Sequence, residues 1–120
     1  MKIKYLEIVT NDVEAVCAAY AAAYGASFGE ADARLGNART ATLSGGGLIG
    51  VRAPMHAGET PVVRPYWEVD DIHGAVAAAV AAGGTVAVPP MPLPGHGSCA
   101  IYFQGGNEHG IWQSAKEGSQ

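Results

Sequence analysis

The chain has 120 residues, of which 48% are hydrophobic and 15% charged. This composition is typical of a globular protein, and the length predicts a single domain over residues 1–120 with a sizeable core. The net charge of −4, with only seven scattered basic residues, argues against a nucleic-acid partner, which would need clustered Lys and Arg.

No apolar run approaches the roughly 20 residues of a membrane span, and Lys2 and Lys4 are not followed by a signal-peptide core. We therefore expect a cytoplasmic protein with no membrane partner. Cys17 and Cys99 belong to no motif, and we expect both to be packed thiols in a reducing compartment.

The first half of the chain begins with a predicted strand over residues 2–10, in which Tyr5, Glu7 and Val9 share one face. Asn11 or Asp12 is expected to cap a helix that ends at Gly25. Apolar residues recur along this helix at steps of three and four, and they are Val13, Val16, Cys17, Tyr20 and Tyr24. Three strands are predicted to follow, near 26–34, 38–44 and 47–53.

Residues 54–61 have the composition of a linker, and after them the opening pattern returns. A strand is predicted over 64–70, with Arg64, Tyr66 and Glu68 on one side. Asp70 or Asp71 is expected to cap a second helix, which glycines 83 and 84 close. A short strand near 85–88, a proline-rich loop over 89–97 and a hairpin with its turn at 105–107 complete the pattern.

The two halves therefore repeat one unit with a period of about 59 residues, which suits a duplicated supersecondary unit rather than a solenoid. Each half contains one strand, one helix and three strands. The predicted fold class is α+β, with two βαβββ modules at about 1–54 and 62–115.

Three short motifs, in this order and spacing, resemble the vicinal oxygen chelate superfamily, which includes glyoxalase I, extradiol dioxygenases and bleomycin-resistance proteins. They are Ala19-Tyr20 with Tyr24-Gly25, Val69-Asp70-Asp71-Ile72, and the closing GNEHGIWQ at 106–113. The resemblance implies that the two modules form a curved mixed sheet around a cup, with the helices outside. It also implies a homodimer.

The resemblance further implies where metal ligands would lie, because four His, Gln or Glu side chains line the cup in the glyoxalase branch. In this sequence those positions fall on Tyr5, Arg64, Gly110 and a residue among 48–52. None of these suits a divalent ion, and the guanidinium of Arg64 would repel one. We therefore expect no metal and no cofactor.

The four histidines have no chelating spacing. His56 and His73 are expected at the surface, and His109 is expected to be structural and to point away from the cup. His96 lies between two glycines in a loop that could fold over the cup mouth. Ligand contact and a plain loop role both remain open for it.

Strand alternation predicts which side chains line the cup and bind a small molecule. They are Tyr5, Glu7, Val9, Arg64, Tyr66, Glu68, Glu108 and Trp112, with His96 at the mouth. Glu7 and Glu68 have two interpretations, since an inward carboxylate is costly to leave unpaired. Either they pair with Arg64 or Arg52 as a structural bridge, or they hold a ligand cation or serve as a general base.

Three functional hypotheses follow. The first is a metal-free small-molecule-binding protein of the glyoxalase/bleomycin-resistance type that captures an aromatic or cationic ligand. The alternative is a metal-independent lyase- or isomerase-like enzyme that uses Glu7 or Glu68 as general base. A third hypothesis is a glyoxalase-type metalloenzyme whose ligands lie elsewhere in the sequence.

Overall fold

The computed structural model describes residues 1–115, which contain two α-helices, eight strands and one short 3-10 helix. In chain order they are β1 (Ile3–Val9), α1 (Val13–Tyr24), β2 (Ala31–Asp32), the 3-10 helix (Ala33–Leu35), β3 (Ala38–Thr42), β4 (Leu48–Arg52), β5 (Val62–Glu68), α2 (Ile72–Ala81), β6 (Thr85–Leu93), β7 (Gly97–Gln104) and β8 (Asn107–Ser114). Both halves read βαβββ, and the strands pair in a mixed parallel and antiparallel pattern. The predicted α+β class is confirmed.

The chain packs into two compact units. The first unit comprises residues 5–64, and the second comprises residues 1–4 together with the chain from Pro65 onward. The first residues of β1 thus belong to the second unit, where the backbone N–H of Glu68 donates to the carbonyl of Lys2 at 2.8 Å. That the modules at 1–54 and 62–115 form a single domain stays a prediction.

In the first unit the strand order is β2-β3-β4-β1, and β1 runs parallel to β4 with Glu7 opposite Gly50. Asp12 caps α1 by accepting from the backbone N–H of Ala15 at 3.3 Å, and Gly25 ends it at φ 72°. Most of the predicted apolar face of α1 packs against the sheet, whereas Tyr24 at its end is 77% exposed. The core there consists of Ile8, Cys17, Ala41, Ile49 and Val51.

The strand predicted near 26–34 is present but much shorter than expected. Only Ala31 and Asp32 pair with β3, and the chain then turns into the 3-10 helix. The carboxylate of Asp32 accepts from the backbone N–H of Arg34 at 2.9 Å, and Gly36 and Asn37 follow at φ 66° and 65°. A local side-chain contact to the backbone competes here with strand pairing, and two successive left-handed residues redirect the chain.

In the second unit the strand order is β5-β8-β7-β6, and β5 runs parallel to β8 with Tyr66 opposite Gly110. Asp71 caps α2 by accepting from the backbone N–H of Gly74 at 3.2 Å. The predicted closing hairpin is confirmed, because Gly105 and Gly106 connect β7 to β8 at φ 60° and 78°, as a type I′ turn requires. The core of this unit is formed by Ile72, Ala100 and Ile111.

The proline-rich stretch is a strand rather than the predicted loop. Strand β6 continues to Leu93, and its register against β7 shifts between Val86 and Met91. Proline removes a backbone donor, so it suits a strand that ends the sheet order and is interrupted by bulges. The predicted loop over 89–97 shrinks to a turn at residues 94–96.

Neither α1, with 12 residues, nor α2, with 10, could cross a membrane, and the described residues contain no other α-helix. Cys17 and Cys99 are both buried, as predicted.

Candidate functional site

Glu7 is the centre of a buried ionic cluster in the first unit. It is 6% exposed, and its two carboxylate oxygens are shared between two arginines. Oε2 accepts from Nε of Arg52 at 2.8 Å, and Oε1 accepts from Nη1 of Arg64. Both arginines are also buried. The structural-bridge interpretation of Glu7 therefore describes the geometry, because both carboxylate oxygens are bound by permanent cations.

Arg52 carries a second carboxylate partner that sequence reasoning did not identify. Its Nη1 and Nη2 donate to Oε1 and Oε2 of Glu59 at 2.8 and 2.7 Å. Residues 54–61, predicted as a linker and hereafter called the connector, thus return a charged side chain to the end of β4. No sequence signal distinguishes Glu59 from an ordinary exposed glutamate, since the contact depends on how the connector folds.

The hydrogen bonds from Arg52, assisted by one from the backbone N–H of Met55, lower the pKa of Glu59 from 4.5 to about 2. Because the folded-state pKa lies below the unfolded value, this carboxylate stabilises the fold fully above pH 4.5, and the contribution is lost as the pH falls toward 2. We expect the difference in unfolding free energy between the wild type and Glu59→Gln to shrink over that window. Urea unfolding at pH 6 and pH 3 measures it, and a pH-independent difference would contradict the assignment.

Tyr5 lies directly over a glycine in the same unit. A Cβ added at Gly50 would collide with the phenol of Tyr5, so the ring occupies the space a side chain would need. Burial raises the pKa of Tyr5, and the neighbouring carboxylate of Glu7 raises it further, so the phenol stays protonated. This contact fills the end of the first module, where the resemblance placed one metal ligand among residues 48–52.

The second unit repeats this arrangement. The ring of Tyr66 lies over Gly110, and an added Cβ would collide with it. Gly110 is the position at which the resemblance implied a glutamate ligand. Both glycines are thus covered by tyrosine rings from the neighbouring parallel strand. At the positions where the resemblance implied metal ligands, Tyr5 offers a phenol, Arg64 a guanidinium and Gly110 a bare backbone, and none of these groups suits a divalent metal.

Three aromatic side chains form a chain of edge contacts in the second unit. The ring centroids of Tyr66 and Trp112 lie 5.9 Å apart at 86°, and those of Trp112 and His96 lie 6.2 Å apart at 70°. Tyr66 and Trp112 are buried, whereas His96 is half-buried. His96 does not lie in a loop long enough to close over a cup; it sits in the tight turn between β6 and β7, where its backbone N–H donates to the carbonyl of Leu93 at 2.8 Å.

Glu68 differs from Glu7 in its surroundings. It is half-buried, and it lies opposite Trp112 in the parallel pairing of β5 with β8. Its Oε2 is buried and accepts no hydrogen bond from any residue in the described part of the chain. A buried carboxylate oxygen normally has a hydrogen-bond partner, so this atom is a candidate contact for a donor outside the described residues.

The remaining predicted residues are dispersed. Glu108 is half-buried near the start of β8, opposite Phe103. His109 stacks on Tyr102 with centroids 5.2 Å apart, which places it against the helix-side core rather than beside Trp112. His56 and His73 are exposed. Across residues 1–115, no three His, Cys, Asp or Glu side chains gather in a way that could hold a metal ion.

Comparison with known proteins identifies the fold. No protein-family model matches the chain, and no curated protein matches it. Solved structures do match, among them the hypothetical protein BH1468 from Bacillus halodurans C-125, with a TM-score of 0.70, 15% identity and coverage of 99% of this chain and 98% of that one. Methylmalonyl-CoA epimerase from Mycobacterium tuberculosis gives a TM-score of 0.72 at 14% identity, covering 96% of this chain and 89% of that one.

A variant of Streptomyces coelicolor methylmalonyl-CoA epimerase in complex with 2-nitronate-propionyl-CoA gives a TM-score of 0.67 at 18% identity, with coverage of 97% of this chain and 99% of that one. At these identities the likeness shows a shared fold. The chain shares the fold of these solved structures, which agrees with the mixed-sheet α+β fold that the sequence resemblance implied.

Proposed function

We propose that this protein is a metal-free small-molecule-binding protein that holds a cationic ligand with a planar group, and that Glu68 is its charged contact. The observation that carries the proposal is the buried Oε2 of Glu68, which lacks a hydrogen-bond donor among the described residues. A ligand ammonium or amidine N–H would supply that donor and would offset the cost of burying the oxygen.

The surroundings of Glu68 favour a planar group. Trp112 lies directly opposite on β8, and Tyr66 lies two residues earlier on β5, on the same face of the strand. His96 contacts Trp112, and both His96 and Glu68 are half-buried rather than fully enclosed. A carboxylate beside aromatic rings suits a cation with a flat apolar body.

A metal-free site is favoured by the donor set, since the residues at the metal positions do not fit a divalent ion. The fold itself is compatible with small-molecule binding. One methylmalonyl-CoA epimerase structure holds methylmalonyl-CoA with an ammonium ion, and another holds 2-nitronate-propionyl-CoA.

A binding experiment with a defined cation tests the proposal. Benzylammonium, which carries both the charge and the N–H donors, is expected to raise the melting temperature of the wild type, whereas benzyl alcohol, which lacks the charge, is not. Glu68→Gln is expected to weaken binding about tenfold or more, because a hydrogen bond or contact to a charged group is worth about 1.5–3 kcal/mol. Asp70→Asn, an exposed acidic residue of the same unit, is the matched control and should leave binding unchanged.

Unchanged affinity in Glu68→Gln would contradict the proposal. So would a divalent metal found at one equivalent by elemental analysis of the purified protein, if its removal destabilises the fold.

A metal-independent, isomerase-like enzyme is the second candidate, and the same oxygen favours it. A carboxylate oxygen without a donor is free to accept a proton, and several structures that share this fold are epimerases. Exchange of the α-proton of methylmalonyl-CoA with deuterium oxide, followed by NMR, separates the candidates. Exchange that Glu68→Gln abolishes supports an enzyme, and cation binding without exchange supports a binding protein.

The resemblance also supports a homodimer in the cytoplasm. Strand β6 ends the sheet order and exposes Val86 and Met91, beside the exposed Phe103 on β7. An edge strand that carries apolar side chains suits pairing with a second copy. Light scattering of the purified protein measures its mass.

A further inference from the structure

The guanidinium of Arg52 binds two carboxylates in different ways, and its Nη1 also donates to the carbonyl of Ala53 at 3.2 Å. Nε donates to Glu7, and the two terminal nitrogens donate to the two oxygens of Glu59 at 2.8 and 2.7 Å. The second contact is the paired, parallel arrangement with which arginine binds a free carboxylate. Arg52 is only 4% exposed, and the Glu59 side chain is 16% exposed and forms part of its cover.

The two carboxylates differ in what holds them. Glu7 lies within β1, which is paired with β4 along its length. Glu59 lies in the connector, which has no strand or helix and is mostly exposed. The connector also has local hydrogen bonds: Glu59 N–H to the His56 carbonyl, Gly58 N–H to His56 Nδ1, and Met55 N–H to Glu59 itself. The paired hydrogen bonds from Arg52, together with the methyl of Met55 near Gly36, join the connector to the rest of the unit.

The charge of Arg52 makes an anion at this position necessary. Its other carboxylate, Glu7, is shared with the guanidinium of Arg64. If Glu59 leaves, Arg52 therefore keeps only part of one carboxylate, and arginine cannot lose its charge by deprotonation. A second carboxylate of the same planar shape is the group that restores the balance.

We infer that Arg52 is the recognition group of a small-carboxylate site that Glu59 occupies and closes, so that a ligand carboxylate binds by displacing Glu59 and releasing the connector. The site at Arg52 would bind an anion, whereas the site proposed at Glu68 would bind a cation. Glu59 acts as a tethered competitor whose effective concentration is high, and the wild type therefore binds free carboxylates more weakly than a variant without it.

The test measures binding of acetate and propionate by calorimetry, with chloride at equal ionic strength as reference. Glu59→Ala is expected to bind both at least tenfold more tightly than the wild type. Glu14→Ala is the matched control, because it also removes an arginine partner, that of Arg39, in the same unit, but at an exposed position. The double variant Glu59→Ala/Arg52→Lys keeps the charge and loses the paired geometry, and it should lose the gain.

In the wild type, saturating propionate is expected to speed hydrogen exchange of the backbone amides of Met55 and Glu59, whose bonds depend on the closed connector. Several results would overturn the inference: no difference between Glu59→Ala and Glu14→Ala, an equal gain when Arg52 is replaced by Lys, or unaltered exchange at saturation. If Glu59→Ala does not fold in chloride, refolding in acetate decides the matter. Recovery that requires the carboxylate supports the site, and equal failure in both salts counts against it.

Discussion

Replacing Glu7 with glutamine is expected to lower the free energy of unfolding by about 3–5 kcal/mol, the typical cost of breaking a buried ion pair by removing one partner. Glutamine preserves the size of the side chain and removes only its charge. Arg52 keeps the carboxylate of Glu59, whereas the buried guanidinium of Arg64 loses the charge of the carboxylate to which it donates. The loss of stability therefore arises because a buried positive charge loses its negative partner, not because a cavity is created. Urea unfolding followed by circular dichroism measures it.

Glu14→Gln is the control for this prediction. It neutralises a carboxylate that also bonds an arginine, with Nη1 of Arg39 at 2.8 Å, but the Glu14 side chain is 78% exposed. Exposed ion pairs contribute about 0–1 kcal/mol, so the two variants should differ several-fold in their effect. If Glu7→Gln were instead as stable as the wild type, the ion pairs of Glu7 would not stabilise the fold, and the structural-bridge interpretation would be contradicted.

The repeated module could be predicted from sequence because its signals are local. Asp12 and Asp71 cap their helices with their own side chains, and the turn at Gly105 and Gly106 depends on backbone conformations that glycine favours. Where the signal is not local, the prediction failed. The proline-rich stretch forms a strand only because β7 lies beside it, and no pattern within residues 89–93 reports that neighbour.

The candidate site likewise has features that the sequence predicts and features that it does not. Strand alternation placed Tyr5 and Glu7 on one face, and the charge of Glu7 implied an arginine partner. It could not show that Glu59 returns from the connector, since that contact depends on the path of an irregular segment. The glycine at 110 was recognised as a missing ligand. That it provides the space for a tyrosine ring requires knowing which strand lies beside β8.

Gly110→Ala is expected to destabilise the protein by about 1–3 kcal/mol, the usual cost of overpacking a close contact. The added methyl would collide with the ring carbons of Tyr66 near its attachment, which cannot move aside without shifting β5. A glycine in a strand otherwise favours replacement, because alanine loses about 0.5–1 kcal/mol less on folding. Whether Gly110→Ala lowers or raises the free energy of unfolding therefore depends on the Tyr66 ring. Denaturant unfolding at pH 7 gives the value.

Two further variants make the cause testable. In a Tyr66→Ala background the same change at Gly110 should cost nothing or stabilise, because the methyl then enters the space that the ring has left. Gly29→Ala is the neutral control, since an added Cβ there meets only the carbonyl of Thr40 at 3.9 Å. An equal loss with and without the Tyr66 ring would show that backbone strain, not the aromatic side chain, requires glycine at 110. The glycine at 110 would then be needed for a reason unrelated to the packing of Tyr66.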